Sequence, residues 1–301
     1  MKFKYFVLVL ISCWNVLYVS CTSNNDSGTN SQDVKSAKEI CIQLYSVRDL
    51  LNENNLDSVL RNLAEMGYTS VETANYNNGK FYNKSPQDFR NLVENLGMSV
   101  LSSHVSRQLT DGELVSGDFS EALQWWDRCI ADHKLAGMKY IVVPWMSVPK
   151  SIKDLQTYCR YYNEIGKLCN KAGLQFGYHN HSHEFQKIEG KDVMLDFMIE
   201  HTDPKYVFFQ MDVYWVVRGQ NSPVDYMNRY PGRFKMLHIK DHREIGQSGM
   251  VGFDAIFRNI DVAGVQAIVA EIEKYSMPVY ESVKQSLDYL LEASFVPAVY
   301  H

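Results

Sequence analysis

The chain has 301 residues, of which 46% are hydrophobic and 13% are aromatic, and its formal net charge is −5. Such a chain can bury one sizeable hydrophobic core, and its length allows one large domain or two small ones. The acidic balance and the lack of a long basic run exclude the electrostatic footprint of a nucleic-acid-binding protein.

The N-terminus predicts export. Two lysines precede an apolar run over 5–19, which is too short to indicate a membrane span and is typical of a secretory signal peptide. Residues 17–21 resemble a bacterial lipobox, with a small residue directly before Cys21. We therefore predict a signal peptide over 1–20, lipidation of Cys21, and an exported lipoprotein on the periplasmic face of a bacterial membrane. An ordinary signal peptide that is cleaved nearby is the alternative.

The segment over 21–37 is rich in Ser, Asn, Asp and Gly and has no apolar periodicity. It predicts a disordered tether between the lipid anchor and a domain over 38–301. Four of the six cysteines fall within this domain, in apolar surroundings and without a CxxC pattern. We expect buried free thiols there, and neither disulfides nor a zinc ribbon, at Cys41, Cys129, Cys159 and Cys169.

Helices and short apolar strands alternate along the domain. Glycine repeatedly separates a helical segment from the strand that follows it, as expected where glycine supplies the left-handed turn that closes a helix. Strands are predicted over 40–45, 68–72, 99–104, 140–143, 174–178, 207–211, 234–239 and 267–270. Helices are predicted from residue 86 and over 55–66, 120–135, 150–172, 193–201, 223–230, 253–262 and 283–293.

This alternation of strands and helices predicts a parallel sheet. Eight strand–helix pairs over about 260 residues fit a (β/α)8 TIM barrel, whose typical size is about 250 residues. A doubly wound open sheet is the alternative. It would place a glycine-rich nucleotide-binding turn after the first strand, whereas residues 45–49 contain no glycine. We therefore predict an α/β protein whose residues 38–301 form a TIM barrel.

Polar side chains occur at the C-terminal ends of the predicted strands, where TIM barrels carry their active sites. Any one of them alone could be a buried ion-pair residue or a satisfied core histidine, but random polarity would not choose the strand ends so consistently. In strand order, the residues are Gln43 and Tyr45, Glu72, His104, Pro144 and Trp145, His179 and His181, Asp212 and Tyr214, His238 and Lys240, and Glu271 and Glu273.

The end of the fifth strand is the richest in histidine. His179, His181 and His183 lie within five residues, and Glu184 follows them directly. Alternate residues of a strand share a face, although His183 is expected to lie on the following loop. Imidazole and carboxylate groups close together favour metal binding or proton transfer. A polar surface turn that is rich in histidine is the alternative.

One arrangement makes chemical sense of these strand ends. A divalent cation held by Asp212, His238, Glu271 and a group from the fifth strand would lie on the barrel axis. Mixed nitrogen and oxygen ligands suit Mn, Zn, Co or Fe(II). Such a metal, bound to a sugar carbonyl and its neighbouring hydroxyl, acidifies the C–H bond between them. The candidates for moving that proton are Glu273, His181 and Lys240.

From about residue 40 to 301 the chain resembles the xylose-isomerase-like barrels, also called the sugar phosphate isomerase/epimerase group. Five motifs in order carry this resemblance, around Glu72, His179 with His181 and Glu184, Asp212 with Tyr214, His238 with Lys240, and Glu271 with Glu273. The resemblance implies metal ligands at Asp212, His238 and Glu271.

The fifth strand departs from the pattern of that family, whose members usually end this strand in a ligating glutamate. Here the position is His179, so either His179 ligates, or Glu184 reaches back from the loop, or both do. On the eighth strand the alignment favours Glu271 as the ligand and leaves Glu273 as a possible acid or base.

The resemblance implies a metal-dependent enzyme that isomerises or epimerises a small-molecule sugar by proton transfer next to its carbonyl. A lyase or dehydratase, acting by β-elimination on a 3-keto-glycoside or keto-polyol at the same site, is the alternative. A non-catalytic sugar-binding lipoprotein is the second alternative. We expect no nucleic-acid partner, membrane attachment through the lipid anchor only, and an oligomeric state that leaves a homo-oligomer open. The expected substrate contacts are Glu72, His104, Tyr45 and Tyr214.

Overall fold

The structure is a computed structural model that describes residues 38–52 and 54–300. The predicted signal peptide over 1–20, the lipidation of Cys21 and the tether over 21–37 lie outside the described residues and stay predictions. Within the described part of the chain, no helix is both long enough and apolar enough to cross a membrane.

Parallel strands close into an eight-stranded barrel in which each strand pairs with its neighbours in sequence, and the first strand also pairs with the eighth. This closure confirms the predicted (β/α)8 TIM barrel and excludes the open doubly wound sheet, whose edge strands would each pair on one side only. In chain order the strands are Cys41–Gln43, Ser70–Thr73, Ser99–His104, Tyr140–Val143, Gln175–His179, Val207–Asp212, Met236–Lys240 and Ala267–Glu271.

Helices cover the outside of the barrel. The α-helices are Leu56–Met66, Pro86–Asn95, Asp111–Ser116, Ser120–Leu135, Ile152–Ala172, Met194–His201, Val213–Arg218, Pro223–Arg229, Phe253–Phe257, Ile260–Ala263 and Val279–Glu292. Two 3-10 helices span Leu44–Leu50 and His183–Phe185. Two small hairpins pair Tyr76–Asn77 with Lys80–Phe81 and Lys187–Ile188 with Asp192–Val193.

The predicted helix signals act as expected at both ends. Ser85 accepts a hydrogen bond from the backbone N–H of Asp88, and Pro86 occupies the first helical position, where a missing N–H costs nothing. Gly67 and Gly173 close their helices at φ values of 112° and 85°, which side-chain-bearing residues adopt at a cost. Local chemistry therefore sets the helix ends from which each strand starts.

Several boundaries differ from the predictions, and two of the differences have a local reason. The first strand ends at Gln43, because its side-chain oxygen accepts a hydrogen bond from Tyr45 N at 3.1 Å and starts a 3-10 turn. The single helix predicted over 253–262 is two helices, since Asn259 leaves helical geometry at φ −114° and donates its side-chain amide to Ala255 O. The helices at Asp111–Ser116 and Val213–Arg218 were not predicted.

The barrel interior has an apolar lower layer and a polar upper layer. Because alternate residues of a strand share a face, Phe208 fills the lower layer while Gln210 and Asp212, further along the strand, lie in the upper one. Gly177 on the neighbouring strand leaves room for the Phe208 ring, since a Cβ there would lie only 2.6 Å from that ring. The lower layer comprises Cys41, Tyr140, Val142, Phe208, Met236, Ala267 and Val269. The four cysteines of the domain are buried and free, as predicted.

Candidate active site

Glu72 lies at the floor of the upper layer and is fully buried. Its Oε1 accepts hydrogen bonds from Gln43 Nε2 at 2.8 Å and His238 Nε2 at 2.6 Å. Its Oε2 accepts from Ser102 Oγ at 2.6 Å and Gln210 Nε2 at 2.9 Å. Glu72 was predicted as a substrate contact, but these four protein donors occupy its carboxylate, which anchors the His238 ring from below.

The charge of Glu72 is held by the histidines around it. Burial alone would raise its pKa, but His104, His238 and the hydrogen bonds hold the pKa at about 2. Burial would likewise lower the pKa of His238, but Glu72 and Glu271 raise it to about 10. A buried carboxylate therefore stays ionised beneath the histidines, and it fixes the ring of His238 through Nε2.

Asp212, His238 and Glu271 come together above this floor, with one ligand atom from each lying within 4.8 Å of the others. His238 Nδ1 is 3.2 Å from Glu271 Oε2. Asp212 Oδ1 accepts a hydrogen bond from Trp215 N at 2.9 Å and so caps the helix that follows the sixth strand. The other oxygen, Asp212 Oδ2, is buried and has no hydrogen-bond partner among the described residues.

The donor set fits a divalent cation. A buried carboxylate oxygen without a hydrogen bond is unfavourable, and a bound cation would satisfy it. Two carboxylates and an imidazole form the mixed oxygen and nitrogen set that suits Mn, Zn, Co or Fe(II). Glu72 holds His238 at Nε2, so Nδ1, which faces Glu271 Oε2, would lose its proton and bind the cation, as in carboxylate–histidine–metal arrangements. Burial also raises the pKa of Asp212 to about 7, against the opposing effect of Lys240.

His179 is the fifth-strand residue beside this cluster. Its Nδ1–H donates to Gln210 Oε1 at 3.0 Å, and its Nε2 lies 3.9 Å from Asp212 Oδ2. His104 Nε2 meets the same Gln210 oxygen at 2.7 Å, and His104, His179 and His238 form a second group of possible ligands. Burial lowers the pKa of His179 well below its usual value, so the imidazole stays neutral and able to bind a cation.

Glu184, the other fifth-strand candidate, belongs to a separate group with His181 and His183. Its Oε1 accepts from Tyr178 OH at 2.7 Å, and its Oε2 accepts from His181 N at 2.8 Å. The carboxylate therefore holds the loop against the strand. Of the alternatives that the sequence leaves open, these distances favour His179 as the fourth ligand and not Glu184.

Lys240 is buried and forms ion pairs with two carboxylates. Its Nζ lies 2.7 Å from Glu273 Oε2 and 3.2 Å from Glu271 Oε2, and 5.0 Å from the centre of the Trp215 ring. Burial disfavours the charged lysine, but Glu271, Asp212 and Glu273 raise its pKa above the ordinary value. Lys240 is therefore a protonated group, and it orients the partly exposed carboxylate of Glu273.

His181 has the opposite character. Its Nδ1 is buried and has no hydrogen-bond partner in the described part of the chain. Burial and the charge of Lys240 lower its pKa to about 3, so the ring is a neutral imidazole. Its ring lies 4.9 Å from that of His179 and 5.5 Å from that of Trp215. His181 is therefore unprotonated near neutral pH.

A cavity of about 330 Å³ opens above the cluster at the C-terminal mouth of the barrel. Tyr214 lies outside the described lining of this cavity, and its hydroxyl meets His242 Nδ1 at 3.3 Å, which does not support its predicted contact with substrate. The lining includes Tyr45, His104, Trp145, His179, His181, Glu271 and Glu273.

Two residues of the site, Gln210 and Asn180, were not predicted from the sequence. Gln210 links His104 and His179 to Glu72. Asn180 accepts a hydrogen bond from Asp212 N at 3.2 Å through its Oδ1. Gln210 lies two residues before Asp212 on an inward-facing strand, so strand alternation was a signal that could have found it.

Residues 60–293 match the family model described as "Xylose isomerase-like TIM barrel". A crystal structure of a sugar phosphate isomerase/epimerase from Parabacteroides distasonis ATCC 8503 is 32% identical, with a TM-score of 0.79 over 88% of this chain and 97% of that one. The structure of an L-ribulose 3-epimerase, at 13% identity and a TM-score of 0.65, covers 84% of this chain and 93% of that one and shows the fold alone.

Among curated proteins, the chain is similar to the inosose dehydratase of Geobacillus kaustophilus, with 23% identity over 203 residues and 62% of each chain. The inosose dehydratase of Clostridium tetani is 29% identical over 82 residues, 27% of this chain and 26% of the relative. The chain thus spans less than two thirds of the length of these curated relatives. The family match and the P. distasonis structure cover most of the chain, which therefore belongs to the xylose isomerase-like TIM barrel family.

Proposed function

We propose that the protein is a divalent-metal-dependent enzyme that removes a proton next to the carbonyl of a keto-sugar or keto-polyol and then eliminates the β-oxygen substituent. One observation carries the proposal: two unlike proton-transfer groups line the cavity above the cluster. His181 follows the fifth strand as a neutral imidazole, and Glu273 follows the eighth strand with its carboxylate held by protonated Lys240.

This pairing suits an elimination. Elimination needs one group to take a proton from carbon and another to give a proton to the departing oxygen. His181 follows the fifth strand as a neutral imidazole, and Glu273 follows the eighth strand beside the ammonium group of Lys240. His181 can take the proton from carbon, and the Lys240–Glu273 pair holds the proton that a departing oxygen requires.

When bound, a divalent cation polarises the carbonyl and acidifies the neighbouring C–H bond. The residues of the chain do the rest. Glu72 fixes the ring of His238, and Trp215 N fixes the Asp212 carboxylate, so the ligand atoms are held in place before a cation arrives. His181 accepts the proton, and Trp145 at the rim, 47% exposed, offers an aromatic surface to a sugar ring.

The curated relatives support elimination, because they are named as dehydratases, and a dehydratase removes water from its substrate. The lining of the cavity supports a substrate without a phosphate group, since its described residues include no lysine or arginine. Sugar isomerisation or epimerisation is the second candidate. It is favoured by the 32% identity to the P. distasonis protein named as a sugar phosphate isomerase/epimerase.

A test in deuterated water separates the two candidates. The Mn-loaded protein is incubated with a 3-keto-glycoside and with a keto-inositol, and the products are followed by NMR. Elimination releases the aglycone or water and leaves an unsaturated ketone. Deuterium incorporation without release would instead support isomerisation or epimerisation. If neither occurs, and a chelator changes neither sugar binding nor stability, the protein is not a metal-dependent enzyme of this kind.

We also propose that the chain is exported and lipidated at Cys21. The observation behind this proposal is the lipobox-like sequence over 17–21 after an apolar run. Mass spectrometry of the N-terminal peptide from membrane fractions should detect diacylglycerol on that cysteine, and a Cys21→Ala variant should lose membrane association. An unmodified N-terminus in the membrane fraction would contradict the assignment.

A further inference from the structure

A second cavity adjoins the mouth of the barrel. It has a volume of about 440 Å³ and lies between the 3-10 helix Leu44–Leu50 and the segment that follows the second strand. Tyr45 and Ala74 line both cavities, so the second one, here called the side groove, meets the mouth at these two residues. Its volume falls within the range of about 300–1,000 Å³ that is typical of small-molecule sites.

The side groove has the surface chemistry of a carbohydrate site. Two aromatic rings, Tyr45 and Tyr82, line it together with the side-chain amides of Asn52 and Asn75. Aromatic faces pack against the C–H face of a sugar ring, while amides can both donate hydrogen bonds to hydroxyl groups and accept them. A polyhydroxylated ring matches both kinds of surface, since it has an apolar face and hydroxyl groups at its edge.

Arg48 connects the side groove to the segment that carries Glu273. The Arg48 guanidinium lies 4.3 Å from the centre of the Tyr45 ring, and its Nη1 donates to Tyr45 O at 2.9 Å and to Tyr275 OH at 3.1 Å. Its Nη2 donates to the backbone oxygen of Glu273 at 2.9 Å. Tyr45 and Glu273 therefore lie on the same side of the barrel mouth. A ligand that extends from the mouth into the side groove passes between the two cavities on that side.

Tyr82 and Asn83, which line one wall of the side groove, have a strained backbone conformation. Phe81 and Lys84 exchange two backbone hydrogen bonds, so Tyr82 and Asn83 are the central residues of a two-residue turn, with φ values of 50° and 65°. Such turns favour Gly and Asn, and a tyrosine at positive φ is rare. Packing holds Tyr82 there, since its hydroxyl accepts a hydrogen bond from Ala74 N at 3.3 Å. Strain of this kind concentrates at functional sites.

We propose that the side groove is a second carbohydrate subsite, and that the substrate is a keto-glycoside whose second sugar unit is the leaving group. This inference rests on the proposed elimination. The keto-sugar ring occupies the mouth, and the second unit crosses Tyr45 into the side groove.

The bond changes balance without a further reactant. The C–H bond beside the carbonyl breaks, its proton passes to His181, and its electron pair forms a new C=C bond. The glycosidic C–O bond breaks with its electron pair, and the released oxygen takes a proton from the Lys240–Glu273 pair. The products are an unsaturated keto-sugar and a free sugar, and proton exchange with solvent restores both groups.

The test compares two substrates that share the reacting ring, methyl 3-keto-glucoside and 3-keto-cellobiose. The second carries a sugar where the first carries a methyl group. We expect the Mn-loaded protein to have a kcat/KM about tenfold higher for 3-keto-cellobiose, equivalent to about 1.4 kcal/mol. Asn75→Trp should fill the side groove and abolish that preference. Lys80→Trp, an exposed change in the hairpin that directly follows Asn75 and outside the side groove, should keep that preference.

Two outcomes separate this inference from the proposed reaction. If both keto-glycosides are cleaved with equal kcat/KM and Asn75→Trp changes neither value, the reaction stands and the subsite is wrong. Titration calorimetry with unoxidised cellobiose and glucose provides the second readout. If no keto-glycoside is cleaved, tighter binding of cellobiose that Asn75→Trp removes would uphold the subsite while the proposed reaction fails. Equal binding of cellobiose and glucose would overturn the subsite in that case.

Discussion

The two layers inside the barrel are built from the same strands but have different roles. In the lower layer, Phe208 and Met236 belong to one buried apolar cluster. One step further along the same strands, Gln210 and His238 join a fully buried network around Glu72. Apolar packing gains free energy from burial, whereas buried charges recover their desolvation cost only through partners. The lower layer therefore stabilises the barrel, and the upper layer uses that stability to hold charged groups in place.

The largest expected effect comes from breaking the lower layer. Phe208→Ala should lower the free energy of unfolding by about 3–5 kcal/mol, because it removes a buried ring and leaves a cavity. The measurement is urea unfolding of the metal-free protein, with Val115→Ala, at an 84% exposed position, as the control. Since Phe208 lies about 13 Å from Asp212 along the strand, the Mn²⁺ affinity of the folded variant should change little. A large loss of affinity would show that the two layers are energetically coupled.

A substitution in the upper layer should instead lower the Mn²⁺ affinity more than the stability. Asp212→Asn keeps an acceptor for Trp215 N but removes the charge that faces the cluster. Mn²⁺ affinity should fall by more than about 100-fold, since even residues that only orient ligands cost 10–100-fold. Titration calorimetry measures this effect, with Asp254→Asn at an exposed position of the helix Phe253–Phe257 as the matched control. Unchanged affinity in Asp212→Asn would remove Asp212 from the ligand set.

Glu72 tests whether the floor of the upper layer acts through His238. Glu72→Gln retains the shape of the side chain but exchanges one acceptor oxygen for a donor, so it cannot satisfy all the present donors. We expect a loss of Mn²⁺ affinity of about 10–100-fold, smaller than for Asp212→Asn. The exposed Glu94→Gln serves as the control. If substrate KM rises while metal affinity stays constant, Glu72 contacts substrate as first predicted from sequence.

Periodicity and strand ends predicted the upper layer in outline. Asp212, His238 and Glu271 were expected to meet because parallel strands deliver their C-terminal ends to one rim, and they do meet. The alternation of strand and helix predicted a parallel sheet, and the count of eight pairs together with the lack of a glycine-rich turn after the first strand favoured the barrel over an open sheet.

The parts that were not predicted depend on contacts between residues distant in sequence. Gln210 is neutral and carries no chemical signal by itself, yet it bridges Glu72 and two histidines. Glu184 has the chemistry of a ligand, but Tyr178 and His181 N hold it elsewhere. The side groove depends on the positive φ of Tyr82, which contradicts the local preference of tyrosine and so has no signature in the sequence.

A buried histidine outside the barrel sharpens the comparison, with the smallest expected effect. His133 is fully buried against the rings of Tyr76 and Phe81, and its Nδ1–H donates to Cys129 O. Burial lowers its pKa to about 4, whereas His238, with two carboxylate neighbours, is raised. In the unfolded chain the pKa of a histidine is about 6.5, so between pH 4 and 6.5 the unfolded state binds the additional proton.

The stabilising effect of a neutral His133 is therefore complete above pH 6.5 and is lost as the pH falls towards 4. The loss should be about 1.4 kcal/mol for each pH unit in that window, and so about 1.4 kcal/mol at pH 5.5. Urea unfolding at pH 7.5 and pH 5.5 should show this decrease for the native chain and a smaller one for His133→Phe, which cannot titrate. Equal decreases for the two proteins would mean that His133 is charged or exposed when folded. In that case the helical layer, like the upper layer of the barrel, would accommodate a charged histidine.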